Sequence, residues 1–333
     1  MPMMAARKVE ETMIVPLPLF LFEGSLGWQA HEHLDEHNQQ PMMTTFSVLT
    51  WNCWAVDEHA GPVRYRAIAA KIIETDADFV ALQEVTETAL ASLRDLPAMQ
   101  DAYALSDISG RTFAPCFYGV VLLVRRRVLS CFRRCTFSLQ RMPTTMSRQL
   151  AVLELVIDEK NTLAVATTHL ESTYELSFMR RIQLQEVVYP RLNGHSHVIF
   201  MGDMNIVACT KENEVFASSG LIDVWNELST DRPLPEGTTL GFRPKRIDRV
   251  FYRFAKELPL PPPVEYELLG AERVMSKPLK SSYPIETASD HLAIRVSFSG
   301  VIYIFSLFAS IRIQDHRKKK KLKKKKKKPK KIS

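Results

Sequence analysis

His197-Val-Ile-Phe-Met-Gly-Asp-Met-Asn-Ile-Val207 combines an apolar run with polar residues that follow it directly. The run from Val198 to Met201 has strand length and is rich in β-branched and aromatic residues, so it predicts a strand buried in a core. Gly202 ends the run. Asp203 and Asn205 follow two residues apart, which puts both side chains on one face of an extended chain. Because Gly, Asp and Asn are also ordinary turn residues, a simple turn is the alternative for this stretch alone.

The basic residues of the chain are concentrated at its carboxyl end. The formal net charge of the 333 residues is +7, but thirteen of the 44 Lys and Arg residues lie between Arg317 and Ser333. The remaining sequence holds 31 basic against 37 acidic residues, so any groove for a polyanion has to be a local patch. Hydrophobic residues make up 46% of the chain, which predicts a globular protein. The five cysteines are odd in number and scattered, which favours reduced thiols in an intracellular protein.

Strands and helices are predicted to alternate along the chain. Apolar runs of strand length and windows with helical spacing follow one another, a pattern typical of layered α/β architecture. The predicted strands cover 46–54, 78–85, 118–124, 144–157, 162–171, 198–201, 221–225, 246–252 and 289–298, and the predicted helices cover 64–75, 86–96 and 178–189. The last of these helices is predicted to stop before Pro190.

Polar residues recur where these strands end or begin. Strand ends are where such folds build binding and catalytic sites. A single acid in such a position is equally well explained as a satisfied structural carboxylate, whereas several on successive strands indicate a site. The residues concerned are Asn52, Glu84, His169, Asp203, Asn205, Asp248, Asp290 and His291.

Two of these residues have the chemistry of metal ligands. The Glu84 carboxylate is a hard oxygen donor suited to Mg²⁺, which takes one or two carboxylates and keeps water and phosphate ligands. Asn52 can coordinate through its carbonyl oxygen or donate a hydrogen bond to a phosphate oxygen.

The other polar residues suit phosphoryl chemistry. Asp203 can accept a proton from an attacking water, and Asn205 can hold that water or a phosphate oxygen. His291 can donate to a non-bridging oxygen as negative charge develops. Asp248 can fix the tautomer of His291 and raise its pKa.

Six short motifs occur in one order along residues 46–298: Thr50-Trp-Asn52, Leu82-Gln-Glu84, Thr168-His-Leu-Glu171, Gly202-Asp-Met-Asn205, Ile247-Asp-Arg249 and Ser289-Asp-His291. The ordered set resembles the motif series of the endonuclease/exonuclease/phosphatase superfamily. The resemblance implies a DNase I-like four-layer α/β sandwich, in which two packed mixed β-sheets lie between helices. It also implies cleavage of phosphodiester bonds that depends on Mg²⁺ or Mn²⁺.

Further segments are similar to the 5′-tyrosyl-DNA phosphodiesterases within that superfamily. They are Ser147-Arg-Gln149, Thr168-His-Leu-Glu-Ser-Thr173, Asp223-Val-Trp225 and Arg246-Ile-Asp-Arg-Val-Phe251. This resemblance implies removal of tyrosine from 5′-phosphotyrosyl DNA ends, the lesions left by trapped topoisomerase II, through in-line attack of an activated water. The expected partners are DNA ends with single-stranded 5′ overhangs and the phosphotyrosyl peptide derived from topoisomerase II. We expect a monomer without stable membrane association, located in the nucleus, with the cytoplasm as the alternative.

The resemblance also assigns roles to individual residues. It makes Glu84 the chief metal ligand. The catalytic residues are then expected to be Asn52, Glu84, Asp203, Asp248 and His291. The residues that surround the phosphate and the DNA end are expected to be Arg148, His169, Ser172, Asn205 and Asp290.

The sequence departs from the family pattern in two places. Cys53 and Trp54 follow Asn52 where the family has an aliphatic residue and an acid, and Trp54 is expected either to stack on a base or, preferentially, to belong to the core. The family also has a DNA-packing aromatic residue shortly before the Ile247-Asp motif, where this chain offers Leu240 and then Phe242.

Two other classes of function stay open at this point. One is another phosphodiesterase of the superfamily, such as an RNA deadenylase, an abasic-site endonuclease or a sphingomyelinase-like enzyme. The other is a non-catalytic binding module, against which the full set of polar residues argues.

We expect three regions in the chain. Residues 1–43 form a poorly ordered extension, 44–299 the catalytic domain, and 300–333 a disordered tail that is first apolar and then almost entirely lysine. A nuclear-localisation or polyanion-binding segment and a lipid-binding patch are two explanations of this tail. A third is that the lysine run reflects translation of an adenine-rich transcript end.

Overall fold

The structure, a computed structural model, describes residues 13–35, 43–208, 210–230, 233–234, 237–240, 243–258, 260–275 and 286–299. The expectations for Phe242, for residues 1–12 and 36–42 and for the tail at 300–333 lie outside these described residues. No described helix combines the length and apolarity that crossing a bilayer requires.

Two mixed β-sheets form the centre of the molecule. The strands are β1 Ile14–Leu17, β2 Leu19–Phe22, β3 Trp28–His31, β4 Leu34–Asp35, β5 Thr45–Asn52, β6 Phe79–Thr86, β7 Tyr103–Leu105, β8 Tyr118–Arg125, β9 Arg134–Arg141, β10 Gln149–Val156, β11 Thr162–His169, β12 His197–Asp203, β13 Ile222–Asp223, β14 Asp248–Arg253, β15 Pro263–Leu269 and β16 Ala293–Ser299. The first sheet has the order β1-β9-β10-β11-β12-β14-β13, with β4 also paired to β9. The second sheet has the order β15-β16-β5-β6-β8-β7-β2-β3.

Eight helices accompany the sheets in the described part of the chain. They are α1 Gly61–Thr75, α2 Glu87–Arg94, α3 Pro97–Ala102, α4 Arg126–Leu129, α5 Ser177–Ile182, α6 Tyr189–Asn193, α7 Glu214–Ala217 and α8 Val224–Leu228. Helices α1 to α3 pack on the outer face of the second sheet, α6 and α7 pack on that of the first, and α4 and α8 contribute to the core between the sheets. The opening stretch of the sequence is β12, and its residues alternate between two cores. Ile199 and Met201 pack in the core between the sheets, whereas Val198 and Phe200 pack in a core with Leu184 on the helical side. Both faces of β12 are therefore buried, which explains its continuous apolar run.

The second sheet is layered in the same way. Val48 of β5 faces the core between the sheets, and its neighbour Leu49 packs with Ile68 and Ile72 of α1. Each fully buried aliphatic side chain of this kind contributes about 1.5–3 kcal/mol. The order helix, sheet, sheet, helix confirms the predicted four-layer α/β sandwich.

The helix predicted to stop before Pro190 instead continues through it. Helix α5 passes through a π-helical stretch, Gln183–Val188, into α6, which ends at Asn193. The Tyr189 N–H bonds to the Leu184 carbonyl oxygen five residues back, and this wider turn precedes the proline. Pro190 then stands in the first turn of α6, where a missing N–H is tolerated.

Within the extension that was expected to be poorly ordered, residues 14–35 form four strands. Strands β1 and β4 both pair with β9, and β2 and β3 extend the second sheet beyond β7. Pro16 lies in β1, which is an edge strand with only one neighbour, and an edge strand tolerates a proline because one side of its backbone needs no ladder bond.

Two further elements differ from the sequence prediction. The segment predicted as a strand at 221–225 is a two-residue strand followed by α8, because the Asp223 side chain accepts a hydrogen bond from the Trp225 N–H and caps the helix. Strand β15, Pro263–Leu269, is not among the strands predicted from the sequence. It begins at Pro263 and forms the edge of the second sheet, where a proline is again accommodated.

Candidate active site

The polar strand ends of the two sheets meet at one edge of the sandwich. Parallel pairing places Asn52 of β5 beside Gln83 of β6, and His169 of β11 beside Asp203 of β12. All ten predicted site residues lie in this one cluster, and each is linked to at least one other by a hydrogen bond or a close charge interaction. The predicted grouping of these residues is therefore present in the fold.

Asn52 joins the two sheets at the centre of the cluster. Its buried Nδ2 donates to Glu84 Oε1 over 3.2 Å and to Asp203 Oδ2 over 3.0 Å. Its Oδ1 accepts the backbone N–H of Trp54 over 2.9 Å. In this orientation Asn52 presents donors to two carboxylates, which differs from the expected coordination of a metal through its carbonyl oxygen.

Glu84 stands in an irregularity of strand β6. The pairing of β6 with β8 shifts register between Leu82 and Val85, and Glu84 has a φ of +54°. Its Oε2 accepts the backbone N–H of Ala55 over 2.9 Å. The Glu84 side chain is 22% exposed, so a carboxylate held by neutral donors remains open to solvent.

Asp203, Asp248 and His291 form a buried charged group. His291 Nδ1 donates to Asp248 Oδ2 over 2.8 Å, and His291 Nε2 lies 4.0 Å from Asp203 Oδ2. Burial alone lowers the pKa of His291, but the Asp248 carboxylate outweighs it and, with Asp203 and Asp290, raises the pKa to about 10. His291 is therefore a cation near neutral pH.

The Asp203 carboxyl group has a raised pKa. Burial and the neighbouring Asp248 charge raise this pKa to about 7, while His291 and the Asn205 N–H oppose the shift. Burial likewise raises the pKa of Asp290, whose carboxyl group interacts with His291 and Glu84. A carboxyl group with a pKa near 7 can both hold and release a proton near neutral pH.

Gly202 allows Asp203 to stand close to β11. A Cβ atom at position 202 would lie 2.1 Å from the carbonyl oxygen of Thr168, and the φ of Gly202 is +144°. Directly after the strand, Asn205 has a φ of +51°, and its N–H donates to Asp203 Oδ1 over 2.9 Å. The Gly-Asp-Met-Asn segment is thus both the end of a buried strand and a tight turn.

A second group of residues surrounds a buried guanidinium. Arg148 Nη1 donates to His169 Nδ1 over 3.0 Å and to the Tyr118 hydroxyl over 3.2 Å, while Nη2 donates to Ser172 Oγ over 2.8 Å. The side chain of Asn205 donates to the same Ser172 hydroxyl over 3.4 Å. These acceptors are neutral, so Arg148 carries positive charge toward the cleft that Tyr118, Arg148 and His169 line.

His169 is neutral and its tautomer is defined. Burial, followed by the charges of Arg148 and His291, lowers the pKa of His169 well below its ordinary value. Because Nδ1 accepts a hydrogen bond from Arg148, the proton sits on Nε2, which faces Asp203 Oδ2 at 3.5 Å. His169 is therefore a hydrogen-bond donor at the centre of the cluster.

Several residues of the site were not identified in the sequence. Tyr118 starts a predicted strand, and nothing in the local pattern indicates that its hydroxyl reaches Arg148. Thr238 Oγ1 donates to Asp248 Oδ2 over 2.6 Å, although Thr238 lies in an irregular segment. Both contacts connect segments that the sequence alone does not bring together.

The donor set fits a divalent cation that prefers oxygen ligands. Among the described residues, the ligand atoms of Asp203, Asp248 and His291 lie within 4.8 Å of one another. Asp248 Oδ1 is buried and has no hydrogen-bond partner within the described part of the chain, and the Glu84 carboxylate is open to solvent. Glu84 is the residue best placed to hold such an ion, because its carboxylate is the more exposed one, whereas the side chains of Asp203 and Asp248 are buried.

The residues at the two departures from the family pattern have structural contacts. Trp54 is half-buried and packs on the guanidinium of Arg64, whose Cζ lies 4.6 Å from the ring centroid, but it is not among the described residues that form the hydrophobic cores. The Leu240 N–H donates to the Asp290 carbonyl oxygen over 2.7 Å.

Comparisons of the sequence with known proteins identify a matching family and several similar proteins. Residues 49–291 match the model of the Endonuclease/Exonuclease/phosphatase family. Tyrosyl-DNA phosphodiesterase 2 of Bos taurus is 27% identical over 259 residues, which are 72% of this chain and 66% of that protein. The protein of the same name from Gallus gallus is 29% identical over 248 residues, 69% of this chain and 63% of that protein. This chain thus spans just under two thirds of the length of these relatives.

A solved structure with the same architecture is D. rerio TDP2 complexed with a single-strand DNA product. It superimposes with a TM-score of 0.60 at 22% identity, covering 78% of this chain and all of that chain. At 22% sequence identity, this structural similarity establishes the fold.

Proposed function

Because the chain belongs to the endonuclease/exonuclease/phosphatase family, we propose that it is a divalent-metal-dependent phosphodiesterase that removes tyrosine from 5′-phosphotyrosyl DNA ends. The observation that carries the proposal is the convergence of Asn52, Glu84, His169, Asp203 and His291 at one edge of the sandwich. The similarity to tyrosyl-DNA phosphodiesterase 2 suggests the substrate.

Asp203 is the proposed general base. Its pKa of about 7 lets it accept a proton from an attacking water under neutral conditions. Hydrogen bonds from the Asn205 N–H and from Asn52 Nδ2 fix the two carboxylate oxygens, so the direction in which the proton is taken is fixed as well. General-base catalysis of this kind contributes about 10²- to 10⁴-fold in rate.

Positive charge and hydrogen-bond donors surround the proposed phosphate position. The His291 imidazolium and the neutral Nε2–H of His169 both lie within 4.0 Å of Asp203 Oδ2, so a phosphate bound there would meet two donors. The Arg148 guanidinium adds charge behind His169. Donors fixed before the reaction stabilise the charge that develops on the phosphoryl oxygens.

Glu84 is the proposed ligand of the divalent cation, which when bound would polarise the phosphoryl group and offset its negative charge. The leaving tyrosine needs little help from the protein. Its phenol has a pKa of about 10, so it can depart as a phenolate without a dedicated general acid.

The test is hydrolysis of a single-stranded oligonucleotide that carries a 5′-phosphotyrosine, by the full chain, with Mg²⁺, with Mn²⁺ or with EDTA. The full chain is preferable to a fragment starting at residue 44, because residues 14–35 contribute strands to both sheets. Conversion to a 5′-phosphate only with a divalent metal is the expected result.

Two alternatives have their own outcomes in this assay. Cleavage of poly(A), abasic DNA or sphingomyelin in place of the phosphotyrosyl substrate would assign another activity of the family. Binding without any turnover would assign a non-catalytic module.

The proposal also covers the partners of the protein, its oligomeric state and its location in the cell. We propose DNA ends with single-stranded 5′ overhangs and the phosphotyrosyl peptide derived from topoisomerase II as partners, and a monomeric enzyme acting in the nucleus. Loss of the protein should then sensitise cells to drugs that trap topoisomerase II. Unchanged sensitivity to these drugs would contradict the repair role. The hydrolysis assay described above would then decide separately whether the protein cleaves the phosphotyrosyl bond.

A further inference from the structure

Arg64 is an arginine of α1 that is completely buried, and its side chain donates to main-chain carbonyls. Nε donates to the carbonyl oxygen of His59 over 2.7 Å. Nη1 donates to the carbonyl oxygens of Cys53 and Ala288. Nη2 donates to those of Trp54 and Val56, and all four distances lie between 2.7 and 3.1 Å. A guanidinium has five N–H donors, and here five carbonyl oxygens accept from them.

These carbonyls belong to two segments that flank the candidate active site. Four of them lie in residues 53–59, directly after Asn52, and the fifth belongs to Ala288, directly before Ser289-Asp-His291. The two segments are more than 200 residues apart in the chain, and Arg64 bonds to both. Among the described residues no carboxylate lies within ion-pair distance of Arg64, although the Asp57 carboxylate interacts with its charge from farther away, and the direct hydrogen-bond partners include five carbonyl oxygens.

The first segment, residues 53–59, fixes the side chains of Asn52 and Glu84 through backbone hydrogen bonds. The Trp54 N–H donates to Asn52 Oδ1, and the Ala55 N–H donates to Glu84 Oε2. Trp54 has a φ of +56° and its ring covers the Arg64 guanidinium, so the conformation of this segment depends directly on the arginine.

The second segment, which includes Ala288 and Ser289, fixes the backbone of His291. Ser289 Oγ donates to the Asn52 carbonyl oxygen over 2.6 Å, and its hydroxyl accepts the His291 N–H over 3.1 Å. Movement of Ala288 away from Arg64 would therefore shift the backbone that carries His291 relative to Asn52.

We propose that Arg64 is a positioning residue, which sets the separation between the Asn52–Glu84 pair and the His291–Asp248 pair by fastening their two supporting segments to one guanidinium. It acts through main-chain atoms and touches neither substrate nor metal. A lysine has three donors in a different geometry and cannot satisfy five carbonyls. The catalytic part of this proposal rests on the proposed function, whereas its metal-binding part does not.

The experiment compares Arg64→Lys with Arg126→Lys in the full chain. Arg126 is a matched control, because its Nη1 also donates to main-chain carbonyls, those of Phe22 and Gln100, in segments outside the site. We expect Arg64→Lys to lower kcat by about 10- to 100-fold, as loss of a supporting contact does, with little change in KM. We expect its Mn²⁺ affinity, measured by calorimetry, to fall by about tenfold. Arg126→Lys should keep both values.

Chemical rescue separates positioning from general destabilisation. In Arg64→Ala, millimolar guanidinium should restore part of the lost kcat and Mn²⁺ affinity, whereas the same salt should not improve Arg126→Ala. If neither Arg64 variant folds by circular dichroism, Tyr65→Phe tests the same link more gently, because the Tyr65 hydroxyl bonds to the Trp54 carbonyl and accepts from Arg64.

The outcomes distinguish this proposal from the proposed function. Wild-type kcat and Mn²⁺ affinity in Arg64→Lys, or in Tyr65→Phe where only that variant folds, would overturn the positioning role. If the wild-type chain shows no phosphodiesterase activity, the proposed function fails, and the change in Mn²⁺ affinity still decides the role of Arg64.

Discussion

Asp203 and Asp248 are register partners on the adjacent antiparallel strands β12 and β14, and the His291 ring lies within 4.0 Å of both carboxylates. Two buried acids opposite each other repel, so at least one positive charge or proton must accompany them. The imidazolium of His291 supplies that charge. The raised pKa values of Asp203 and His291 are two consequences of the same arrangement.

Replacing Asp248 by Asn should lower the pKa of His291. In the wild-type chain the folded-state pKa is about 10, above the ordinary value of 6.5. The stabilisation from protonated His291 is therefore complete below pH 6.5 and is lost as the pH rises through about 10. Without the Asp248 charge, burial should dominate and bring the pKa down. Imidazole ¹⁵N shifts of the metal-free protein measure this, with exposed Asp95→Asn as control, and an unchanged pKa would refute the pairing.

Glu84→Ala should abolish metal-dependent turnover. The variant removes the carboxylate that is open to solvent at the centre of the site, so charge stabilisation at the phosphate is lost and kcat should fall by roughly 10²- to 10³-fold. Mn²⁺ affinity, followed by calorimetry, should fall in parallel. Glu159→Ala, in the exposed β10–β11 turn, is the control. Wild-type turnover in Glu84→Ala would remove Glu84 from the mechanism.

Asp203→Asn should retain substrate binding and lose turnover. An amide keeps the size of the side chain but cannot accept a proton from water, so kcat should fall by about 10²- to 10⁴-fold. Fluorescence anisotropy with a 5′-phosphotyrosyl oligonucleotide should give a dissociation constant close to that of the wild type. A large loss of affinity with unchanged kcat would instead indicate a binding role for Asp203.

Arg148→Gln should weaken substrate binding and raise the pKa of His169. The Arg148 charge is one cause of the low pKa of His169, so its removal leaves burial as the main cause and moves the pKa upward. Loss of charged hydrogen bonds of about 1.5–3 kcal/mol corresponds to a KM increase of roughly 10- to 100-fold. Steady-state kinetics and ¹⁵N shifts test the two effects separately. An unchanged KM would place the phosphate away from Arg148.

Local patterns in the sequence were sufficient to predict layered α/β architecture, whereas the four-layer arrangement was implied by the resemblance to the family. Strand β12 is apolar on both faces up to Gly202 and ends at Asp203, so its burial and the location of Asp203 are readable from consecutive residues. The same holds for Glu84, which follows the apolar run of β6 two residues before the strand ends at Thr86.

Other features depend on contacts between distant segments. Arg64 looks like an ordinary helix residue until Ala288, 224 positions later, accepts its hydrogen bond. The short edge strand β1 has too few residues and too much proline for a periodic signal, and only its pairing with β9 defines it. The orientation of the Asn52 amide likewise depends on Asp203, which lies 151 positions away.

Glu84→Gly should be more stable than Glu84→Ala. At a φ of +54° a side chain costs free energy that glycine avoids, so we expect a difference in the free energy of unfolding of about 1 kcal/mol. Thermal or urea unfolding of the two inactive variants measures it. Equal stabilities would show that the surrounding strands relax around position 84.

The unusual backbone at Glu84 also bears on how such a site is lost over evolutionary time. A lineage released from catalysis gains stability by exchanging Glu84 for glycine, and the same step removes the carboxylate. Asn205, with a φ of +51°, offers a second step of this kind. Loss of the proposed site by these exchanges would therefore be downhill in folding free energy.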